Sequence, residues 1–493
     1  MGNSTGDLVD LWDFVYAHKQ MQGGFIWDWV DQGFVKEDST GTNYWTYGGD
    51  YGPDSYRNDA NFVLNGLVNP DRTPHPALAE VKQVYQNVKI ELQDAEELSF
   101  TIKNRFFFTD LSTYEISYEV LEDGEIVESK NIGSLKLSPQ DSTTFQLTDL
   151  SIAEDGSEYF INFKVKTTNK KPLLPAGFVI AEDQILIQSS DSDIPLVQVD
   201  SGKLKVKQKK GELQVTAANL EVIFNKTTGR LEKYTYGNQE YLLETPHVNF
   251  WRAPIDNDFG HKYQKRGKIW KDASTKQKLE DFKLISKNRD SVVIEVIYQL
   301  DTLDAQTESR YAIYPDGSIK VTNQLKYSGG SNLAEISRFG MNFILPKEYD
   351  HVKWYGRGPH ENYQDRKESA FIGIYEASVS DLYFPYIRPQ ENGYRTENRW
   401  VELTNASGKG LKFTGLPLVS FSAHHNYISD FDPGMRKQQR HTIDIKPRDF
   451  ISLNIDYKQT GVGGDNSWGA KPHEKYQLKP QNYRYSFWIQ PID

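Results

Sequence analysis

The stretch Gly23-Gly24-Phe25-Ile26-Trp27-Asp28-Trp29-Val30-Asp31-Gln32 decides how the rest of the chain is read. A Gly-Gly break precedes a run of apolar, aromatic and β-branched residues, the composition of a buried strand. Two tryptophans and two aspartates in five positions suit a strand whose end faces something polar. A pyranose ring has an apolar face of C–H bonds and a rim of hydroxyls, so indoles beside carboxylates suit sugar. The same residues would equally serve a core strand whose acids cap neighbouring loops, since aromatic side chains pack cores as readily as they line sites.

Outward from this stretch, residues 1–88 read as α/β. Ser4 can cap a helix, with Asp7 favourably placed in its first turn. Leu8, Leu11, Trp12 and Val15 then form one apolar stripe, predicting a helix to about His18. After the strand comes a long loop from Gly33 to about Asn65, rich in Gly, Asp and Asn. Its aromatics (Tyr44, Trp45, Tyr47, Tyr51, Tyr56 and Phe62) make it a functional loop rather than a disordered one. Thr73-Pro74-His75-Pro76 opens a second helix in which Ala77, Val81, Val84 and Tyr85 share a face. Helix, strand, long loop, helix is the order expected at the end of a (β/α)8 barrel, whose site residues come from strand ends and the loops after them.

Length and composition set the frame. At 493 residues the chain is too long for one compact domain. Residues 89–188 carry short apolar runs (Leu98–Ile102, Tyr114–Val120, Thr143–Leu147, Tyr159–Val165 and Phe178–Ile187) separated by turns, the spacing of an immunoglobulin-like β-sandwich. Residues 189–200 read as a polar linker. From 201 to 493 strands predominate again, for example Leu213–Val215, Val292–Tyr298, Ile319–Gln324, Leu411–Thr414 and Phe450–Ile455, which predicts a large antiparallel supersandwich. The fold class is thus multidomain and mainly β. A formal net charge of −11 argues against nucleic acid or an anionic membrane as partner. No stretch approaches the ~18 consecutive apolar residues of a spanning helix. The absence of cysteine excludes disulfides, thiolate metal sites and cysteine nucleophiles. Met1–Gly6 has neither the basic nor the apolar region of a signal peptide.

Other chemical motifs are weak. His424-His425 lacks the spacing of a zinc helix, and Gly356–Pro359 and Gly461–Gly464 lack the rest of a phosphate loop. Gly2-Asn3-Ser4-Thr5-Gly6 has the letters of a serine-hydrolase elbow without a strand leading into it. Asp256-Asn257-Asp258 reads as turn chemistry in a loop. Trp468, in the small-residue stretch Gly464–Trp468, has no obvious core to enter and reads as an exposed platform or as packing beneath its loop.

Taken together, the motifs resemble the C-terminal half of a bacterial β-galactosidase of glycoside hydrolase family 2. They run in order from Met1–Ser4, Gly23–Gln32, Tyr47–Asp50, Asn65–Val68 and Asp71–Leu78. They continue through Arg252–Asp258, Gly358–Tyr363, Asp381–Tyr383, Glu391–Gly393 and Gly463–Trp468. The resemblance implies retaining hydrolysis of terminal β-D-galactosides. It also implies that both catalytic glutamates and the magnesium ligands lie upstream of Met1, so no catalytic residue is expected here. The chain alone is then expected to be inactive, with the N-terminal half as its missing partner and the galactoside as its substrate. Trp27 matches the tryptophan that stacks on the galactosyl ring, and Trp468 a platform for incoming substrate. Phe62, through its backbone carbonyl, and Asn65, through its side chain, match sodium ligands. Asn58 matches a residue near the magnesium site. A galactoside-binding or scaffold module without turnover is the rival reading. Oligomeric state, a homo-oligomer included, and compartment are left open.

Overall fold

The computed structural model describes residues 2–53, 55–190, 202–301, 303–330 and 333–493. From residue 191 onward the expected linker lies outside the described residues. The chain forms two compact units. One joins the segment up to Leu78 with most of the chain beyond residue 202. The other runs from Ala79 through the strand Val179–Gln188 and includes Glu368–Ile374.

In the first unit, helix α1 (Leu8–Ala17) forms where the apolar stripe predicted it. Only Val15 of that stripe is buried, while Leu11 is exposed. Ser4 does not cap it: the residue before α1 is Asp7, whose side chain makes no capping bond. The expected strand at Gly23–Gln32 is absent. The segment is irregular, held by an isolated parallel bridge between Val30 and Val68, and Phe25, Trp27 and Trp29 are exposed rather than buried. A parallel strand is normally covered on both faces, whereas this segment makes one bridge and leaves its aromatics in solvent. The long loop contains a hairpin of β1 (Phe34–Glu37) and β2 (Asn43–Thr46), then a 3₁₀ turn at Ala60–Val63. Helix α2 (Pro76–Val84) begins at the end of this segment and continues into the second unit from Ala79.

The larger part of this unit is antiparallel β. A five-stranded meander covers Lys205 to Glu240. Beyond it lies a twelve-stranded sheet. Its main path runs from Glu244–Asn249 through Arg338–Pro346, Phe450–Gln459, Gly410–His424, Tyr483–Ile492, Ile319–Tyr327, Ala305–Ile313 and Val292–Leu300 to Gln277–Lys287. Val292–Leu300 alternates buried with half-buried positions, as a strand with one face on the core must. Arg338–Pro346 is buried at every position, as expected of a strand covered on both faces. Phe343, Phe413 and Phe487 meet in the core, two of the pairs edge to face. Between Asn249 and Gln277 three short helices interrupt the sheet: α3 (Asp256–Gly260), α4 (Tyr263–Arg266) and α5 (Lys268–Thr275).

In the second unit, seven strands make two sheets, β3-β4-β7 and β6-β5-β8-β9. The strands are β3 (Val88–Asp94), β4 (Ser99–Asn104), β5 (Tyr114–Glu122), β6 (Glu125–Gly133), β7 (Ser142–Gln146), β8 (Tyr159–Thr167) and β9 (Val179–Gln188). Phe100, Ile102, Ile161 and Phe163 fill the space between them. This is a sandwich of immunoglobulin type.

Candidate functional site

The site is assembled from segments of the first unit that are far apart in sequence. Trp27 presents its indole to solvent, 73% exposed. The next residue ties it down: the Asp28 backbone N–H donates to the Asn65 carbonyl at 2.8 Å. The Asp31 carboxylate accepts from the Gly66 N–H at 2.7 Å and lies 3.2 Å from His75 Nε2. Gly66 is required there, because a β-carbon would overlap the Val30–Asp31 backbone. The Trp27 segment and the Asn65 turn are therefore one body.

Asn65 is 4% exposed, yet its side-chain Oδ1 has no hydrogen-bond partner among the described residues. A buried amide oxygen left unpaired is costly, and a hard cation accepts such oxygens. Phe62, three residues earlier, exposes 62% of its surface. Asn58 is exposed, and its Oδ1 accepts from the Ala60 N–H within its own loop at 2.9 Å.

From Asn61 the site reaches into the β sheet. Asn61 Nδ2 donates to Asp256 Oδ1 at 2.7 Å, and Lys437 Nζ donates to Asn61 Oδ1 at 3.1 Å. Asp256 is buried at the start of α3, which replaces the loop expected at 256–258. Arg388 Nε donates to Asp256 at 2.7 Å, Lys437 lies at 3.2 Å and Gln390 Nε2 donates to its other oxygen at 3.0 Å. Burial opposes the charge on Asp256, but Arg388 and Lys437 outweigh it and hold the carboxyl well below the usual range.

The N-terminal motif packs against the same helix. Asn3 is fully buried, donating to Tyr363 Oη (2.8 Å) and the Glu391 carbonyl (2.7 Å), and accepting from Arg366 (2.6 Å). Ser4, buried, accepts at Oγ from the Asn257 N–H at 2.9 Å instead of capping α1. Asp365 accepts from the Val462 and Gly463 amides, anchoring the base of the loop that carries Trp468.

Trp468 is 73% exposed, as a platform would be. Its loop wraps around Asn466, whose Oδ1 accepts from the N–H groups of Trp468, Gly469 and Ala470. The Trp468 backbone rests on Gly260, the last residue of α3, so closely that a β-carbon there would sit 2.7 Å from its carbonyl carbon. A continuous chain of contacts thus links Trp27 and Asn65, through Asn61 and Asp256, to Trp468. Sequence reasoning missed Asn61, Arg388, Gln390 and Lys437, which stand outside the motifs it read and lie up to 376 residues apart. His424 and His425, by contrast, are structural: they face the Asn392 carbonyl and the Phe450 carbonyl.

An α/β segment, a sandwich and a large antiparallel unit, with exposed indoles beside oxygen-rich loops, make a multidomain, mainly β protein, and its sequence places it among the glycoside hydrolases. Residues 216–489 match the family described as β-galactosidase small chain. Residues 1–90 match the TIM barrel domain of glycosyl hydrolases family 2, and residues 100–188 match domain 4 of β-galactosidase. The β-galactosidase of Priestia megaterium (strain DSM 319 / IMG 1521) is 35% identical, covering 100% of this chain and 47% of that protein. The β-galactosidase of Vibrio cholerae serotype O1 is 34% identical, covering 98% and 46%, and that of Pseudoalteromonas haloplanktis is 31% identical, covering 99% and 47%. The chain belongs to the β-galactosidase family and corresponds to the C-terminal half of such an enzyme. It spans about half the length of the curated relatives it matches. A solved aldose epimerase homologue from C. elegans covers 59% of the chain at 10% identity and a TM-score of 0.33, too low to bear on the fold. No helix among the described residues is long and apolar enough to cross a membrane.

Proposed function

We propose that the chain is the sugar-stacking, cation-holding half of a retaining β-galactosidase, acting on terminal β-D-galactosides only together with the missing N-terminal half. The observation that carries this reading is the exposed Trp27 indole fixed to Asn65, whose buried Oδ1 is unpartnered. The indole offers a flat apolar face to the C–H side of galactose. Asn65 Oδ1 and the Phe62 carbonyl would hold a sodium ion, which supplies a fixed positive charge near the sugar. Asn58 gives no comparable support for magnesium.

Retaining hydrolysis needs two carboxyl groups about 5–5.5 Å apart, one as nucleophile and one as proton donor. Both catalytic glutamates belong, on this reading, to the N-terminal half. The chain by itself therefore binds without cleaving. The exposure of Leu11, Phe14, Phe25 and Trp29 supports a partner that would cover apolar side chains of this segment.

The test is twofold. Purified chain is titrated with lactose while tryptophan fluorescence is followed, and in parallel is assayed on a chromogenic β-galactoside. Saturable binding without product is expected from the chain alone, with cleavage restored when the N-terminal half is added. Cleavage by the chain alone would overturn the two-half reading. The rival reading, a galactoside-binding or scaffold module, draws support from the exposure of both Trp27 and Trp468. It would prevail if the added half restored no cleavage.

A further inference from the structure

One cluster lies outside the chain of contacts from Trp27 to Trp468. His473 follows the Trp468 loop, and both of its ring nitrogens face carboxylates. Nδ1 is 2.8 Å from Asp10 Oδ2 on α1, and Nε2 is 3.0 Å from Asp465 Oδ1 at the start of the loop. Its backbone N–H donates to Asp7 Oδ2 at 3.2 Å. A neutral imidazole has one N–H and can donate to only one of the two carboxylates, whereas an imidazolium donates to both. The arrangement therefore selects the charged ring. It also closes a ring of chain: Asp465 and His473 bracket Trp468, and Asp10 fastens both to α1.

We propose that His473, as an imidazolium bridging Asp10 and Asp465, is the positioning residue that holds the Trp468 loop in place and so sets the affinity of this face for galactosides. The affinity clause rests on the galactoside reading of Trp468 given above; the holding of the loop does not. The carboxylates around the ring agree in sign, while burial, with Asp365, pushes Asp7 up to about 7. Asp7, Asp10 and Asp465 face it directly, with Asp365 behind Asp7. Lys475 Nζ, 2.6 Å from Asp10 Oδ1, and Tyr476 Oη, at 3.2 Å, take the oxygen of Asp10 that His473 leaves. Glu474 turns away to Lys479 at 2.8 Å. The hydrogen bond to Asp465 leads the effects that raise the ring to about 9, against the opposing effect of partial burial, with Asp10 and Asp7 adding to the rise. The sign follows: a raised histidine holds its bridge fully below its ordinary value near 6.5 and loses it as the pH climbs through about 9. Asp465 is exposed, so its arm is the weaker one.

The experiment compares the whole wild-type chain with His473→Gln and Asp465→Asn. The second variant alters only an exposed side chain and guards against misfolding. Amide exchange is measured across residues 464–470 from about pH 6 to about pH 10, corrected for intrinsic rates, beside a lactose titration. In His473→Gln the loop amides are expected to exchange about tenfold faster near pH 7, with a smaller rise in Asp465→Asn. The wild-type loop loosens similarly above about pH 9, a step that His473→Gln lacks. Lactose affinity falls in the same order. Loop exchange unchanged in both variants over the whole range would overturn the proposal. So would loosening that leaves a measurable lactose affinity untouched. A loop that loosens in a chain that binds no galactoside would refute the sugar reading of Trp468 while the positioning role stands.

Discussion

Replacing Arg388 by Met should damage the molecule in a measurable and pH-dependent way. Arg388 is 1% exposed and is the closest cation to Asp256, itself buried. Removing one member of a buried ion pair costs about 3–5 kcal/mol, because the other is left charged and poorly solvated. Here Lys437 at 3.2 Å, Asn61 at 2.7 Å and Gln390 at 3.0 Å remain around the carboxylate. The low end, about 3 kcal/mol, is therefore expected. The Arg388 guanidinium also covers the Phe259 ring at 5.4 Å, a contact that methionine keeps only in part. Asn61 hangs from Asp256, so the loss should be felt first at the 3₁₀ turn preceding Asn65. At equal pH its protected amides, such as Leu64, which donates to the Asn61 carbonyl at 3.0 Å, should exchange about 100-fold faster. The pH dependence has a defined sign. The Asp256 carboxyl is held below its ordinary value, so the pair contributes above about pH 4 and is lost as the pH falls through the lower folded value. The difference between variant and wild type should accordingly shrink in acid. Removing both charges, with Asp256→Asn added, should recover much of the loss. A variant less than about 1 kcal/mol below wild type at pH 7 would show that Asp256 does not depend on Arg388.

Three further outcomes follow from the same geometry. Trp27→Ala should weaken lactose binding about tenfold while moving stability by less than about 0.5 kcal/mol, because its indole is mostly in water. Asn65→Ala should abolish any stabilisation gained when sodium replaces choline in a thermal melt, since the unpartnered oxygen is the donor at issue. Gly260→Ala should cost about 1–3 kcal/mol and raise amide exchange in the Trp468 loop, because the new methyl meets backbone that cannot step aside.

How far the fold was legible depended on whether a segment's partners were local. Val292–Leu300 pairs along its length with Ala305–Ile313, its neighbour in sequence, and its alternation is written in its own residues. Gly23–Gln32 shows the opposite case. Its apolar letters are those of a strand covered on both faces, but here one bridge to Val68 is formed and its aromatics stay exposed. Helix α3 was illegible for another reason: five residues are too few to show a helical stripe, and Asp-Asn-Asp is also what a turn would use. The motifs were visible one by one, yet their meeting was not. Asn3 reaches Tyr363 and Glu391, Ser4 reaches Asn257, and Gly260 carries Trp468, across separations no periodicity records. Their convergence orders Trp27, Asn65 and Trp468 from segments far apart in the chain. The network that orders Trp27, Asn65 and Trp468 runs through Asp256, Arg388 and Lys437 of the part of the unit beyond residue 202.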